Sequence, residues 1–122
     1  MTALGCAVGA ASNDVDTALG PWYLSYHPEF LPLEWASIHH FHSQLRGLPL
    51  EQELFDFLAV YGLSVANILN ASEIPLCIGG DHSMAMGTWP RVIEYCQESL
   101  GLIWVDAHLD AHTPESSQSK NF

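Results

Sequence analysis

The chain has 122 residues and a mean hydropathy of +0.12, which suits one packed domain and excludes a disordered chain. Acidic residues outnumber basic ones by 14 to 3, and the net charge of −11 disfavours nucleic acid and anionic membranes, because both need Lys and Arg. This charge suits metal ions or a small cation, although solubility alone also explains an acidic excess. Three cysteines that fit no zinc module and the absence of a signal peptide or a bilayer-spanning apolar run favour a cytoplasmic protein.

The chain opens with a stretch of small apolar residues, Ala3 to Ala11, which predicts a buried strand. Ser12 to Asp16 is polar and typical of a turn. Pro21 then follows a glycine, and it is suited to the first position of a short helix.

Residues 25–49 are expected to be irregular, because three prolines interrupt them. His39, His40 and His42 lie in this stretch. Adjacent histidines on a strand point to opposite faces, so only His40 and His42 could share a side. We therefore expect surface or packing roles for these histidines rather than a metal site.

The next segment predicts an amphipathic helix that begins at Pro49, with acidic residues near its start. Its apolar residues recur at spacings of three and four: Leu50, Leu54, Phe57, Leu58, Tyr61, Val65, Ile68 and Leu69. A short apolar run, Ile74 to Ile78, then predicts a buried strand that ends at a Gly-Gly turn.

A second helix is expected over Met84 to Glu98, with Pro90 either kinking it or marking a fresh start. Leu100 to Val105 predicts another buried strand, and the polar residues 113–122 predict a loop. Helices alternating with apolar strands indicate an α/β fold, in which helices cover both faces of a parallel sheet.

Two polar motifs follow the last two predicted strands, where parallel sheets gather their ligands. The first is Gly79-Gly80-Asp81-His82-Ser83 and the second is Asp106-Ala107-His108-Leu109-Asp110. If the second is extended, its two carboxylates and its imidazole point the same way. A divalent cation would relieve their repulsion, and His82 would add a nitrogen ligand. Asp81 either caps the following helix or orients groups around the metals.

Together these motifs resemble the ureohydrolase family, which includes arginase and agmatinase. The resemblance implies a three-layer α/β/α fold and hydrolysis of a guanidino C–N bond at two Mn²⁺ ions. It implies that His82 and Asp110 bind one ion, that His108 binds the other, and that Asp106 bridges them. The resemblance also implies that a metal-bridging hydroxide attacks the guanidinium carbon, with Asp110 and His108 as the candidate catalytic residues.

The tail resembles the arginase substrate loop, which holds the amino-acid end of arginine. The implied substrate-binding residues are His112, Ser117, Ser119 and Asn121. His112 and Lys120 depart from the family pattern, which usually has Asn and Gly there. The Ser-rich loop favours arginase over agmatinase, because its hydroxyls suit an α-carboxylate.

The resemblance also implies two further aspartates from a later strand end, which residues 111–122 do not contain. We therefore expect residues 1–122 to be the N-terminal portion of a single arginase-like domain, incomplete and inactive alone. The full-length protein is expected to form homo-oligomers and to act on a small cationic guanidino substrate. Alternatives are an agmatinase, another guanidino or formimidoyl hydrolase, or a non-catalytic metal-binding fragment.

Overall fold

The computed structural model describes residues 1–12, 14–43 and 48–106. Three strands are present there: β1 (Thr2–Ala7), β2 (Trp35–His40) and β3 (Pro75–Gly79). A short 3₁₀ helix (Val15–Leu19) precedes three α-helices: α1 (Gly20–Tyr26), α2 (Leu50–Asn70) and α3 (Met84–Cys96). The strands form one parallel sheet in the order β2-β1-β3.

β1 is the central strand of this sheet, and it is buried on both faces. Leu4, Cys6 and Val8 pack into the main core together with one side of α2. Ala3 and Ala7, which alternate with them, are also fully buried. Burial on both faces explains why the segment is an unbroken run of small apolar residues. The predicted first strand is confirmed, but it ends at Ala7 and does not extend to Ala11.

The helices lie on both sides of the sheet. The β1–β2 and β2–β3 connections move in opposite directions across the sheet, so right-handed crossovers place α1 on one face and α2 on the other. α3 packs along α2. The predicted α/β fold with helices on both faces of a parallel sheet is therefore confirmed.

α2 forms where the apolar spacing predicts it, from Leu50 to Asn70. Its buried side includes Leu54, Leu58, Tyr61 and Val65. Two helix positions differ from the expected pattern: Leu50 is 40% exposed, whereas the acidic Glu53 is buried. Since a buried carboxylate needs partners, Glu53 is part of the packing between α2 and its surroundings rather than a solvated residue of the first turn.

α2 and α3 cross closely because glycines face each other at the crossing. A Cβ on Gly62 would lie 2.7 Å from the Gly87 carbonyl oxygen, and a Cβ on Gly87 would lie 2.7 Å from the Leu58 carbonyl oxygen. α3 continues through Pro90 as one element, so the proline starts no new helix. These glycines decide how near the two helix backbones can approach.

Two expectations were wrong. The region around the prolines contains β2, which the sequence does not predict. Leu100–Val105, predicted as a buried strand, forms no strand, and Ile103 and Val105 are 90% and 92% exposed. An apolar run favours a strand, but a strand forms only where a neighbouring backbone takes up its hydrogen bonds. Within the described residues, no such neighbour is paired with this segment.

The histidines of β2 point to opposite faces, as alternation requires. His39 hydrogen-bonds Ser64 of α2 at 2.9 Å and meets the Tyr61 ring edge-on, whereas His40 lies 6.2 Å from the Trp22 ring of α1. The His40 and His42 rings lie 4.0 Å apart. In the part of the chain that the structure describes, these histidines belong to no group able to hold a metal. His39 and His40 therefore join the sheet to the two helix layers.

None of the described helices is both long and apolar enough to cross a bilayer.

We expect Gly62→Ala to destabilise the fold by about 1–3 kcal/mol, because overpacking at the helix crossing outweighs alanine's roughly 1 kcal/mol better helix propensity. Gly101→Ala is the matched control, since a Cβ there meets nothing within 4 Å. Urea unfolding followed by circular dichroism measures both variants. Equal midpoints for the two variants would contradict the close crossing.

We expect His39 to make the fold less stable in acid. Burial lowers the pKa of His39 from its ordinary value of 6.5. As the pH falls below 6.5, the unfolded chain takes up a proton before the folded chain does, so the free energy of unfolding decreases. His39→Asn should therefore flatten the fall in Tm between about pH 7.5 and 5.5, a range centred on the ordinary histidine pKa. A Tm that falls as steeply in His39→Asn as in the wild-type chain would contradict this role of His39.

Candidate functional site

The turn between β3 and α3, Gly79 to Ser83, is held against the end of β1 by its backbone. The Gly80 amide donates to the Cys6 carbonyl at 2.9 Å, and the Asp81 amide donates to the Val8 carbonyl at 2.8 Å. A Cβ on Gly80 would lie only 1.9 Å from the Val8 carbonyl oxygen. Glycine is needed at position 80 because the two backbones touch there, which leaves no room for a side chain.

Asp81 uses both of its carboxylate oxygens inside the protein. Oδ1 accepts hydrogen bonds from the Ser83 amide at 2.9 Å and from the Ser83 hydroxyl at 2.5 Å, while Oδ2 accepts from the Ala11 amide at 2.9 Å. The bonds to Ser83 hold the N-cap residue of α3, so Asp81 acts just before the helix rather than at its N-cap position. The bond to Ala11 adds a second contact, which joins the turn to the loop after β1.

His82 and Asp106 lie together, although 23 residues separate them in the sequence. His82 Nε2 is 3.5 Å from Asp106 Oδ2, which is the distance range of an ion pair. The His82 side chain is 59% exposed and that of Asp106 is 21% exposed. The His82 ring stacks on Trp104, with ring centroids 5.3 Å apart and planes inclined by 13°. One imidazole and one carboxylate are thus presented together at an accessible surface.

The core below the turn contains two titratable groups that burial keeps neutral. Burial raises the pKa of the Cys6 thiol to about 12, with further contributions from the nearby Asp81 and Cys77. Burial likewise raises the pKa of Tyr61, whose hydroxyl has no hydrogen-bond partner of good geometry among the described residues. In the part of the chain that the structure describes, the His82 imidazole and the Asp106 carboxylate are the pair presented together at this edge.

The structure brings together two of the four predicted metal ligands, His82 and Asp106. The other two, His108 and Asp110, lie outside the described residues, as do the four predicted substrate-binding residues: His112, Ser117, Ser119 and Asn121. Accordingly, no set of three or more His, Cys, Asp or Glu side chains with metal-binding geometry occurs in residues 1–12, 14–43 and 48–106.

Two contributors to this site are absent from the sequence prediction. Trp104 was assigned only to an apolar strand, yet it stacks on His82. Its position two residues before Asp106 is a usable signal, since alternate residues of an extended segment share a side. The Ala11 amide, which binds Asp81, carries no such signal, because a backbone donor has no residue-type signature.

Comparison with known proteins identifies the family of this chain. A family model described as the Arginase family matches residues 5–122. The chain is 36% identical to an arginase of Staphylococcus aureus over 86 residues, which cover 70% of this chain and 28% of that protein. It is 42% identical to the arginase of Bacillus caldovelox over 79 residues, covering 65% of this chain and 25% of that protein.

The crystal structure of an arginase from Bacillus subtilis has the same fold, with a TM-score of 0.80 at 24% identity, over 98% of this chain and 42% of that one. The chain thus spans about a quarter of the length of the curated relatives that it matches. With this family match, the fold and the two motifs show that the chain belongs to the arginase family, whose members are hydrolases acting on C–N bonds.

Proposed function

We propose that this chain is the N-terminal portion, residues 1–122, of a manganese-dependent arginase that converts arginine to ornithine and urea. Support comes from the family match and from relatives that carry the name arginase. The observation that carries the proposal is the approach of His82 Nε2 to Asp106 Oδ2, at 3.5 Å. It joins one side chain from each of the two motifs at one surface.

These side chains suit a divalent cation. A histidine nitrogen beside a carboxylate oxygen is a ligand pair that Mn²⁺ accepts. In the proposed centre, His82 and Asp110 would hold one ion and His108 the second, and Asp106 would be the further ligand. Two such ions would supply Lewis acidity and a stronger nucleophile at neutral pH.

The residues of the chain then have separate tasks. Asp106 and His82 present their ligand atoms at the surface, because the Gly80 contact fixes the turn that carries His82. Asp110 and His108 are proposed to complete the catalytic group. The substrate end of arginine is proposed to bind to His112, Ser117, Ser119 and Asn121. The net charge of −11 favours a cationic substrate.

Partners and location follow from the same proposal. The small-molecule partner is a cationic guanidino compound, and the full-length protein forms a homo-oligomer. The cytoplasm is the proposed location, because Cys6, Cys77 and Cys96 are free thiols and such thiols persist in a reducing compartment.

The first prediction from this proposed function concerns metal binding by the 122-residue chain. We expect Mn²⁺ to bind, and His82→Asn and Asp106→Asn each to weaken binding by about 10-fold or more, since each removes a ligand. Titration followed by the electron paramagnetic resonance signal of free Mn²⁺ measures the affinity. Glu94→Gln, which removes an exposed carboxylate paired with Arg91, is the matched control and should leave the affinity unchanged. Binding of no Mn²⁺ by the wild-type chain would contradict the metal proposal.

The second prediction concerns turnover. The family resemblance implies two further aspartates, and residues 111–122 contain none, so we expect the 122-residue chain to release no urea from arginine above background. A colorimetric urea assay with saturating Mn²⁺ tests this expectation, with Asp106→Asn as the reference. If the wild-type chain turned over and Asp106→Asn did not, the 122 residues would form a complete enzyme, and the proposal of a partial domain would be wrong.

A further inference from the structure

We propose that Asp81 is a positioning residue, which holds His82 in place for the metal by tying the β3–α3 turn to the loop after β1. The inference rests on the proposed metal-binding role of His82. It adds a partner to the site that neither motif contains, namely the backbone of Ala11. Asp81 itself does not reach the metal in this proposal, because its two oxygens are already used by protein donors.

The three hydrogen bonds of Asp81 act in two directions. Oδ1 binds the amide and the hydroxyl of Ser83, immediately after His82. Oδ2 binds the amide of Ala11, which is 70 residues away in sequence. All three bonds are partly buried, and charge-assisted hydrogen bonds of this kind are about twice as strong as neutral ones. The carboxylate is therefore a bridge between two segments rather than a cap of α3 alone.

The backbone beside this bridge leaves His82 little freedom. On its N-terminal side, Gly80 rests against the Val8 carbonyl, and the amides of Gly80 and Asp81 are both paired with the end of β1. On its C-terminal side, Ser83 is buried and bound to Asp81. The side chain, in contrast, is 59% exposed and meets Trp104 by stacking. The backbone on which the imidazole is mounted is thus held on both sides, and Trp104 contacts the ring itself.

Only a carboxylate satisfies all these donors. An amide side chain has one accepting oxygen and one donating NH₂ group. In Asp81→Asn, the NH₂ group would have to face either the Ala11 amide or the Ser83 amide, and two donors would then oppose each other. The substitution keeps the size of the side chain and breaks one side of the bridge.

The experiment compares Asp81→Asn with the wild-type 122-residue chain in two measurements. The first is the ring-current shift that Trp104 imposes on the His82 ring protons, read by NMR in the absence of metal, with Trp104→Leu as the unstacked reference. The second is the Mn²⁺ affinity. We expect Asp81→Asn to move the His82 protons toward the Trp104→Leu position and to weaken Mn²⁺ binding by about 10- to 100-fold. Unchanged His82 shifts together with unchanged affinity would overturn the proposal.

Two controls separate positioning from stability. Asp56→Asn changes an exposed carboxylate that accepts a hydrogen bond from Gln52, and it should alter neither measurement. Gly62→Ala lowers stability at the crossing of α2 and α3 and leaves the hydrogen bonds of Asp81 in place. If it shifted the His82 protons as much as Asp81→Asn does, general destabilisation would explain the effect, and the positioning role would be refuted.

A third variant, Ser83→Ala, tests the proposal if Asp81→Asn does not fold. Ser83→Ala removes one of the three bonds and keeps both amide bonds, so it should fold and show a smaller change of the same sign in the His82 shifts. No change in Ser83→Ala, when Asp81→Asn does not fold, would overturn the proposal. If the wild-type chain bound no Mn²⁺, the proposed function would fail, while the His82 shifts would still decide whether Asp81 positions the ring.

Discussion

The structure depends on the contact between the end of β1 and the turn after β3. Gly80 lies so close to the Val8 carbonyl that no side chain fits, and two backbone hydrogen bonds fix the contact on either side. β1 is buried on both faces, so other elements pack against both sides of the strand that makes this contact. The contact therefore also fixes where the sheet lies relative to its helices. An error of one residue in the pairing would reverse the faces of β3 and move His82 away from Asp106.

The same contact explains how an accessible site can be built on a small core. The backbone that carries His82 is immobilised by groups of low exposure, including Cys6 and Ser83, whereas the imidazole itself extends to solvent. Burial raises the pKa of the Cys6 thiol to about 12, so this side chain is neutral beneath the turn.

Residue patterns predict much of this fold, and the two elements that they predict wrongly have a physical explanation. The spacing of apolar residues from Leu50 to Leu69 predicts α2, because a helix with one buried face repeats at that spacing. The small apolar residues around Leu4 predict β1, because both faces of that strand are buried. β2 was not predicted, since prolines surround it and its side chains are only partly covered. Leu100–Val105 was predicted as a strand from residue type, yet a strand also needs a neighbour, which residue type does not specify.

The approach of His82 to Asp106 was nevertheless anticipated, although the strand assigned to the residues before Asp106 did not form. The two predictions rest on different constraints. Pairing of Leu100–Val105 requires hydrogen bonds along its length, whereas bringing Asp106 to His82 requires only that the segment after α3 return the chain to the edge where α3 began. Trp104 contributes the remaining local contact by stacking on the His82 ring. Residue chemistry and chain return are thus enough to predict which side chains meet, whereas Asp81 and Ala11 show that the backbone support of a site is visible only in the folded structure.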